Sequence, residues 1–159
     1  MKLTTKGRYA VTAMMDLALH ESADERVALK SIADHQEISV AYLEQLFAKL
    51  KAKGLVTGVR GPGGGYRLNR PAQQISIFEI ISAVDESVDV TACRGKMDCR
   101  DGEICLTHEL WSDLSDKISV FLDELKLGDV VRKAMERGSG ERHRLPCSES
   151  DQTQHVAFG

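Results

Sequence analysis

Along the first third of the chain apolar residues recur at three- and four-residue steps. Ala10, Val11, Met14, Leu17 and Ala18 form one face of an amphipathic helix from about Lys6 to His20. A shorter segment, Leu29 to His35, turns Leu29, Ile32 and Ala33 to one side and predicts a second helix. After the break Gln36-Glu37-Ile38, Ser39 offers the hydroxyl of an N-cap, and a third helix runs to about Lys53. Its inner face is Leu43, Leu46, Phe47 and Leu50, and Gly54 occupies the place of a left-handed C-cap.

Helical spacing then gives way to short β patterns. Leu55 to Arg60 and Tyr66 to Asn69, joined through Gly61-Pro62-Gly63-Gly64-Gly65, read as a hairpin. Ser76-Ile77-Phe78-Glu79 has the spacing of a capping box and opens a helix through Ile80, Ile81 and Val84. From Asp85 to Leu106 the periodicity vanishes. A long helix is predicted from about Thr107 to Leu125, striped by Leu110, Leu114, Ile118, Phe121, Leu122 and Leu125. That stripe needs an apolar partner, either the chain's own core or the same helix of a second subunit. A last turn or two covers Asp129 to Met135, and the polar, aperiodic residues beyond Arg137 are expected to be a disordered tail.

Three helices followed by a two-stranded hairpin is the order of a winged helix, in a fold that is mainly α. The third helix would then enter the DNA major groove and the hairpin a flanking groove. Charge changes the picture in the same direction. The total is only −3, but residues 1–70 carry 11 Lys and Arg against 7 Asp and Glu, and residues 71–159 carry 10 against 17. Between Gln45 and Arg70 stand Lys49, Lys51, Lys53, Arg60, Arg67 and Arg70 with no acid among them, a field suited to a polyanion. Ser39, Ala41, Tyr42, Glu44 and Gln45 are not needed for the apolar stripe of the third helix and are available to base edges. A glutamine can pair with adenine at two points, and a glutamate can accept a hydrogen bond from the amino group of cytosine. Arg60-Gly61-Pro62-Gly63 puts a cation on a turn with little side-chain bulk, which suits a narrow minor groove. The glycine run lacks the Gly-Lys-Ser/Thr ending of a nucleotide loop, and a dinucleotide fingerprint fails in register. A purely structural turn is the remaining alternative.

Cys93-x5-Cys99-x5-Cys105-x2-His108 gathers four soft or borderline ligands in 16 residues. Such a set serves zinc or an iron-sulfur cluster. Only Cys105 and His108 have the close spacing common in zinc sites, so the pattern leans toward a cluster. The basic start of the chain is followed by no uninterrupted apolar run, and nowhere do about 18 apolar residues stand together, so no membrane association and a cytoplasmic location are expected. Closely spaced thiols in that compartment read as ligands rather than disulfides. No nucleophile-and-base pair points to an enzyme, and Cys147 is assigned no role.

Residues Met1 to about Val131 resemble the Rrf2 family of bacterial winged-helix regulators, nearly without gaps. The resemblance is carried by Lys6-Gly7-Arg8-Tyr9-Ala10-Val11-Thr12-Ala13-Met14, Tyr42-Leu43-Glu44-Gln45-Leu46-Phe47, Val59-Arg60-Gly61-Pro62-Gly63-Gly64-Gly65-Tyr66, the run Ile81 to Asp89, and Cys105-Leu106-Thr107-His108. The cysteine spacing with its histidine narrows the match to the cluster-binding regulators of that family.

The resemblance implies a homodimer whose long helices cross, and a two-iron, two-sulfur (2Fe-2S) cluster on Cys93, Cys99, Cys105 and His108, donated by the iron-sulfur assembly machinery. It implies binding to double-stranded promoter DNA and repression of the cluster-assembly operon, with cluster occupancy choosing the operator and relieving a veto exercised by Glu44. Ser39, Tyr42, Glu44 and Gln45 would read the major groove and Arg60, Gly61 and Pro62 the minor groove, while the basic stretch, apart from the resemblance, would put Lys49 on a phosphate. Alternatives are a nitric-oxide or redox-sensing repressor of the same family and an iron-sulfur electron-transfer protein. The division that follows is a winged-helix domain at 1–84, a cluster loop at 85–106, a dimerisation helix with a C-terminal helix at 107–135, and a tail at 136–159. Two positions depart from the family pattern: Ala41 stands where a serine is expected, and Glu37 where the turn calls for glycine.

Overall fold

Helix α1 (Thr5–His20) points Ala10, Ala13, Met14 and Leu17 inward, all fully buried, and so packs on the face that its apolar spacing marks. The computed structural model describes residues 4–21, 25–91, 93–94, 96–97 and 103–138. Cys99, Cys147 and the tail from Ser139 lie outside the described residues. Helix α2 (Leu29–Gln36) adds Ile32 and Ala33 to the core. It ends on Glu37 at φ 56°, ψ 39°, so the left-handed turn that favours glycine is kept by a residue with a Cβ. That conformation costs roughly 1–2 kcal/mol in an L-residue.

Helix α3 (Val40–Ala52) starts where Ser39 accepts a hydrogen bond from the Tyr42 N–H at 3.2 Å. Leu43, Leu46, Phe47 and Leu50 are buried, while Ala41, Glu44, Gln45 and Ala48 face outward. Strands β1 (Val56–Val59) and β2 (Gly65–Leu68) pair antiparallel, from Val56 opposite Leu68 to Val59 opposite Gly65. Val27, between α1 and α2, exchanges both backbone hydrogen bonds with Tyr66 at 2.8 Å, which covers the inner edge of the hairpin. Gly65 permits this pairing, since a Cβ there would lie 2.7 Å from the Val27 carbonyl oxygen. The Phe47 ring meets the Tyr66 ring at 4.8 Å and fastens the hairpin to α3. The protein is a winged helix, as its element order indicates.

Helix α4 (Ile77–Ala83) opens on the capping box, with the Glu79 N–H donating to the Ser76 hydroxyl at 3.1 Å and the Ser76 N–H to the Glu79 carboxylate at 2.9 Å. Helices α5 (His108–Glu124) and α6 (Leu127–Arg137) meet at a corner stitched to the start of α4. There the Ile77 N–H donates to the Leu125 carbonyl and the Leu127 N–H to the Ile75 carbonyl. Leu127 and Val131 bury themselves against the winged helix, so the chain returns to its own core after α5. Three turns form where the polar spacing had promised one or two.

The stripe of α5 divides. Ile118, Leu122 and Leu125 pack partly on the core, whereas Leu110 and Phe121 are each 60% exposed and Leu114 39%. Among the described residues no helix is long and apolar enough to cross a membrane.

Candidate functional site

The outer face of α3 and the turn of the hairpin carry exposed cations, Lys51, Lys53 and Arg60. Glu44 and Gln45 stand exposed on α3, and their side chains have no hydrogen-bond or ion-pair partner among the described residues. Ser39 is exposed too, but its oxygen is engaged by the Tyr42 N–H, which leaves its O–H to donate elsewhere. Tyr42 is half-buried, its ring edge-on to Tyr9 at 5.9 Å and 80°. Burial first, and then the negative charge of Glu86, raise its phenol above the ordinary 10.0, so it stays a neutral hydrogen-bonding group. Lys49 pairs with Asp85, so this cation of α3 is engaged in a solvent-exposed ion pair within the chain. At the tip of the wing Arg60, Gly61 and Pro62 are all exposed, closed from behind by the Gly64 N–H bonded to the Gly61 carbonyl at 2.8 Å.

The sulfur site lies where the aperiodic segment meets α5. Cys93 Sγ is 3.4 Å from His108 Nδ1, although fifteen residues separate them in sequence. His108 begins α5, is 9% exposed, and donates its N–H to the Cys105 carbonyl at 3.0 Å. Cys93 and Cys105 are both half-buried. Two ligands of one tetrahedral metal, with bonds of about 2.3 Å to sulfur and about 2.1 Å to nitrogen, stand roughly 3.6 Å apart. The Cys93–His108 pair fits that spacing, and thiolate with imidazole is the donor chemistry such a centre requires.

Residues 3–133 match the model of the Rrf2 family, described as an iron-dependent transcriptional regulator. The chain belongs to the Rrf2 family. Relatives called HTH-type transcriptional regulator IscR are 59% identical in Vibrio campbellii over 132 residues, 83% of this chain and 78% of the relative. In Xenorhabdus nematophila the identity is 50% over 161 residues, 98% of each chain. The solved structure of T. potens IscR superposes with a TM-score of 0.70 at 35% identity, covering 89% of this chain and 93% of that one. CymR, the global cysteine regulator of B. subtilis, gives 0.71 at 32% identity, covering 84% and 98%. This Rrf2 protein is a transcription regulator and not an enzyme.

In this Rrf2 regulator a short acidic segment joins the two sites, and sequence reading assigns it no role beyond the family resemblance. Asp85 holds Lys49 of α3, and Glu86 accepts from the Thr4 hydroxyl at 2.6 Å and pairs with Lys6 at 3.5 Å. Four residues on, Asp89 takes the Thr91 hydroxyl and N–H at 2.7 Å, and Ser115 of α5 donates to Asp89 and accepts the Val90 N–H. The Thr91 hydrogen bonds, then that of Ser115 and the nearby His108, hold the Asp89 carboxyl below the usual 3.8 against a smaller burial effect. The signal in the sequence is only an acidic run after a capping-box helix; its partners are dozens of residues away.

Proposed function

We propose that this Rrf2 regulator binds promoter DNA as a homodimer, represses the operon for iron-sulfur cluster assembly, and chooses its operators by whether Cys93, Cys99, Cys105 and His108 hold a 2Fe-2S cluster. The observation that carries the reading is the 3.4 Å approach of Cys93 Sγ to a buried His108 Nδ1 at the foot of α5. When bound, the cluster supplies an oxidisable anionic group whose supply depends on the assembly machinery that donates it. Cys93, Cys105 and His108 contribute the donors, and Cys99 completes the set from outside the described residues. The exposed Leu110, Leu114 and Phe121 on α5 are the surface for a second copy.

On the DNA side, Gln45 and Ser39 with Tyr42 present donors and acceptors to base edges, and Arg60 with Gly61 and Pro62 enters the minor groove. Lys49 is shared between a phosphate and Asp85. The segment 85–91 fastens α3 at one end and α5 at the other, so a change in how Cys93 and His108 are held is passed to Lys49 through packed, hydrogen-bonded residues.

The test is anaerobic purification followed by iron, sulfide and zinc analysis with a visible spectrum. Wild type and Cys147→Ala should carry equal iron and sulfide, and Cys93→Ala and Cys105→Ala should lose both. Zinc without sulfide in the wild type, or full iron in Cys105→Ala, would refute the cluster assignment.

A further inference from the structure

We propose that Asp16, His20 and His35 form a second metal site, independent of the cysteines, that takes one divalent transition-metal ion of the zinc class and clasps α1 to α2. Asp16 is 1% exposed, in the middle of α1, and a buried carboxylate must be compensated. Its hydrogen-bond and ion-pair partners among the described residues are two imidazoles. His20, one helical turn further along α1, brings Nδ1 to 2.7 Å from Oδ1, and His35, in the last turn of α2, brings Nδ1 to 3.1 Å from Oδ2. The three donor atoms lie within 4.8 Å of one another, and the rings overlap with centroids 4.7 Å apart.

Protons serve this arrangement poorly. Two protonated rings would set cations side by side over a single carboxylate, and a neutral ring can satisfy Asp16 only by keeping its one proton on Nδ1. A divalent ion takes the lone pairs of both neutral rings and cancels the carboxylate charge. Donors around a tetrahedral zinc ion, with bonds of about 2.0–2.1 Å, stand roughly 3.3 Å apart, against 2.7 Å and 3.1 Å from the two nitrogens to the carboxylate, so binding needs ring shifts of about half an ångström or more. Both histidine side chains are nearly half exposed and can make them. Two nitrogens and one oxygen leave a fourth position for water, and such a set prefers zinc, cobalt or nickel over magnesium or calcium. Other nearby carboxylates are engaged: Glu21 accepts the Leu68 N–H at 2.7 Å, and Asp34 pairs with Lys30. A filled site would pin α2, and α3 follows α2 after only Glu37, Ile38 and Ser39.

The test uses the full chain, freed of metal, with cobalt(II) and zinc(II) as probes. Wild type should bind one more equivalent of cobalt than His20→Asn or His35→Asn, and that equivalent should lack the sulfur-to-cobalt charge-transfer band of a thiolate site. Zinc should raise Tm by several degrees in wild type and in the tail variant His155→Asn, and by less in the other two. Circular dichroism of the metal-free variants establishes that they fold. Equal stoichiometry and equal shifts in all four proteins, wild-type cobalt bound through thiolates alone, or loss of the same equivalent in His155→Asn would overturn the site.

Discussion

Lys49, in the last turn of α3, pairs with Asp85, the first residue of the segment that leads to Cys93. Asp85 adopts φ 59°, an unusual conformation for a residue with a side chain, and the Lys49 hydrogen bond and charge hold its carboxyl below the ordinary 3.8. On the proposed reading, the pair competes with a DNA phosphate for Lys49. Asp85→Asn should release the lysine, tighten binding to all duplexes, and steepen the slope of log K against log salt by about one unit. An unchanged slope in a salt titration would show that Lys49 does not reach the backbone.

Acid should undo the same region. Burial alone would raise the Glu86 carboxyl, but the Thr4 hydroxyl and N–H and the Lys6 ammonium together hold it below the ordinary 4.5. Its contribution is then complete above about pH 4.5 and is lost as pH falls through the lower folded value. Glu79 behaves alike, since the Ser76 N–H and the Arg70 side chain outweigh its burial. Thermal melts of Glu86→Gln should show a lower Tm than wild type at pH 7, with the difference shrinking toward pH 3. A gap that widened in acid would contradict the assignment.

Leu110, Leu114 and Phe121 leave much of their apolar surface exposed on α5 among the described residues. Phe121→Asp should convert a dimer to a monomer in sedimentation analysis while leaving Tm of the monomer nearly unchanged, because the side chain is 60% exposed. A monomeric wild type would remove the interface from the account.

Much of the fold was legible in the sequence, for identifiable reasons. The stripes of α1 and α3, the Ser39 cap and the Ser76–Glu79 box are local, and local spacing is what sequence displays. Glu37 was legible as a departure but not in its consequence: the left-handed turn persists because Ile38 beyond it is buried and holds the chain in place. The division of the α5 stripe, the Val27–Tyr66 pairing and the meeting of Asp16 with His35 depend on contacts between distant residues. Asp16-x3-His20 could be seen as one helical face, but nothing in the sequence points His35 at it. Of the cysteine constellation, spacing supplied the candidates and folding brings Cys93 to His108.

Under the proposed function, the state of the cysteine site decides which DNA the α3 surface accepts, with Glu44 as the group that refuses. An unpaired carboxylate on a basic DNA face repels phosphate and is tolerated only against a donor such as the cytosine amino group. The most direct measurement is an anaerobic titration, at one salt concentration, of cluster-loaded and cluster-free wild type and of cluster-free Glu44→Ala against a panel of promoter fragments. The account predicts fragments bound about tenfold or more tightly by the loaded form alone, and recovery of their binding by cluster-free Glu44→Ala, worth roughly 1–3 kcal/mol. Identical affinities of loaded and cluster-free wild type on every fragment would contradict it.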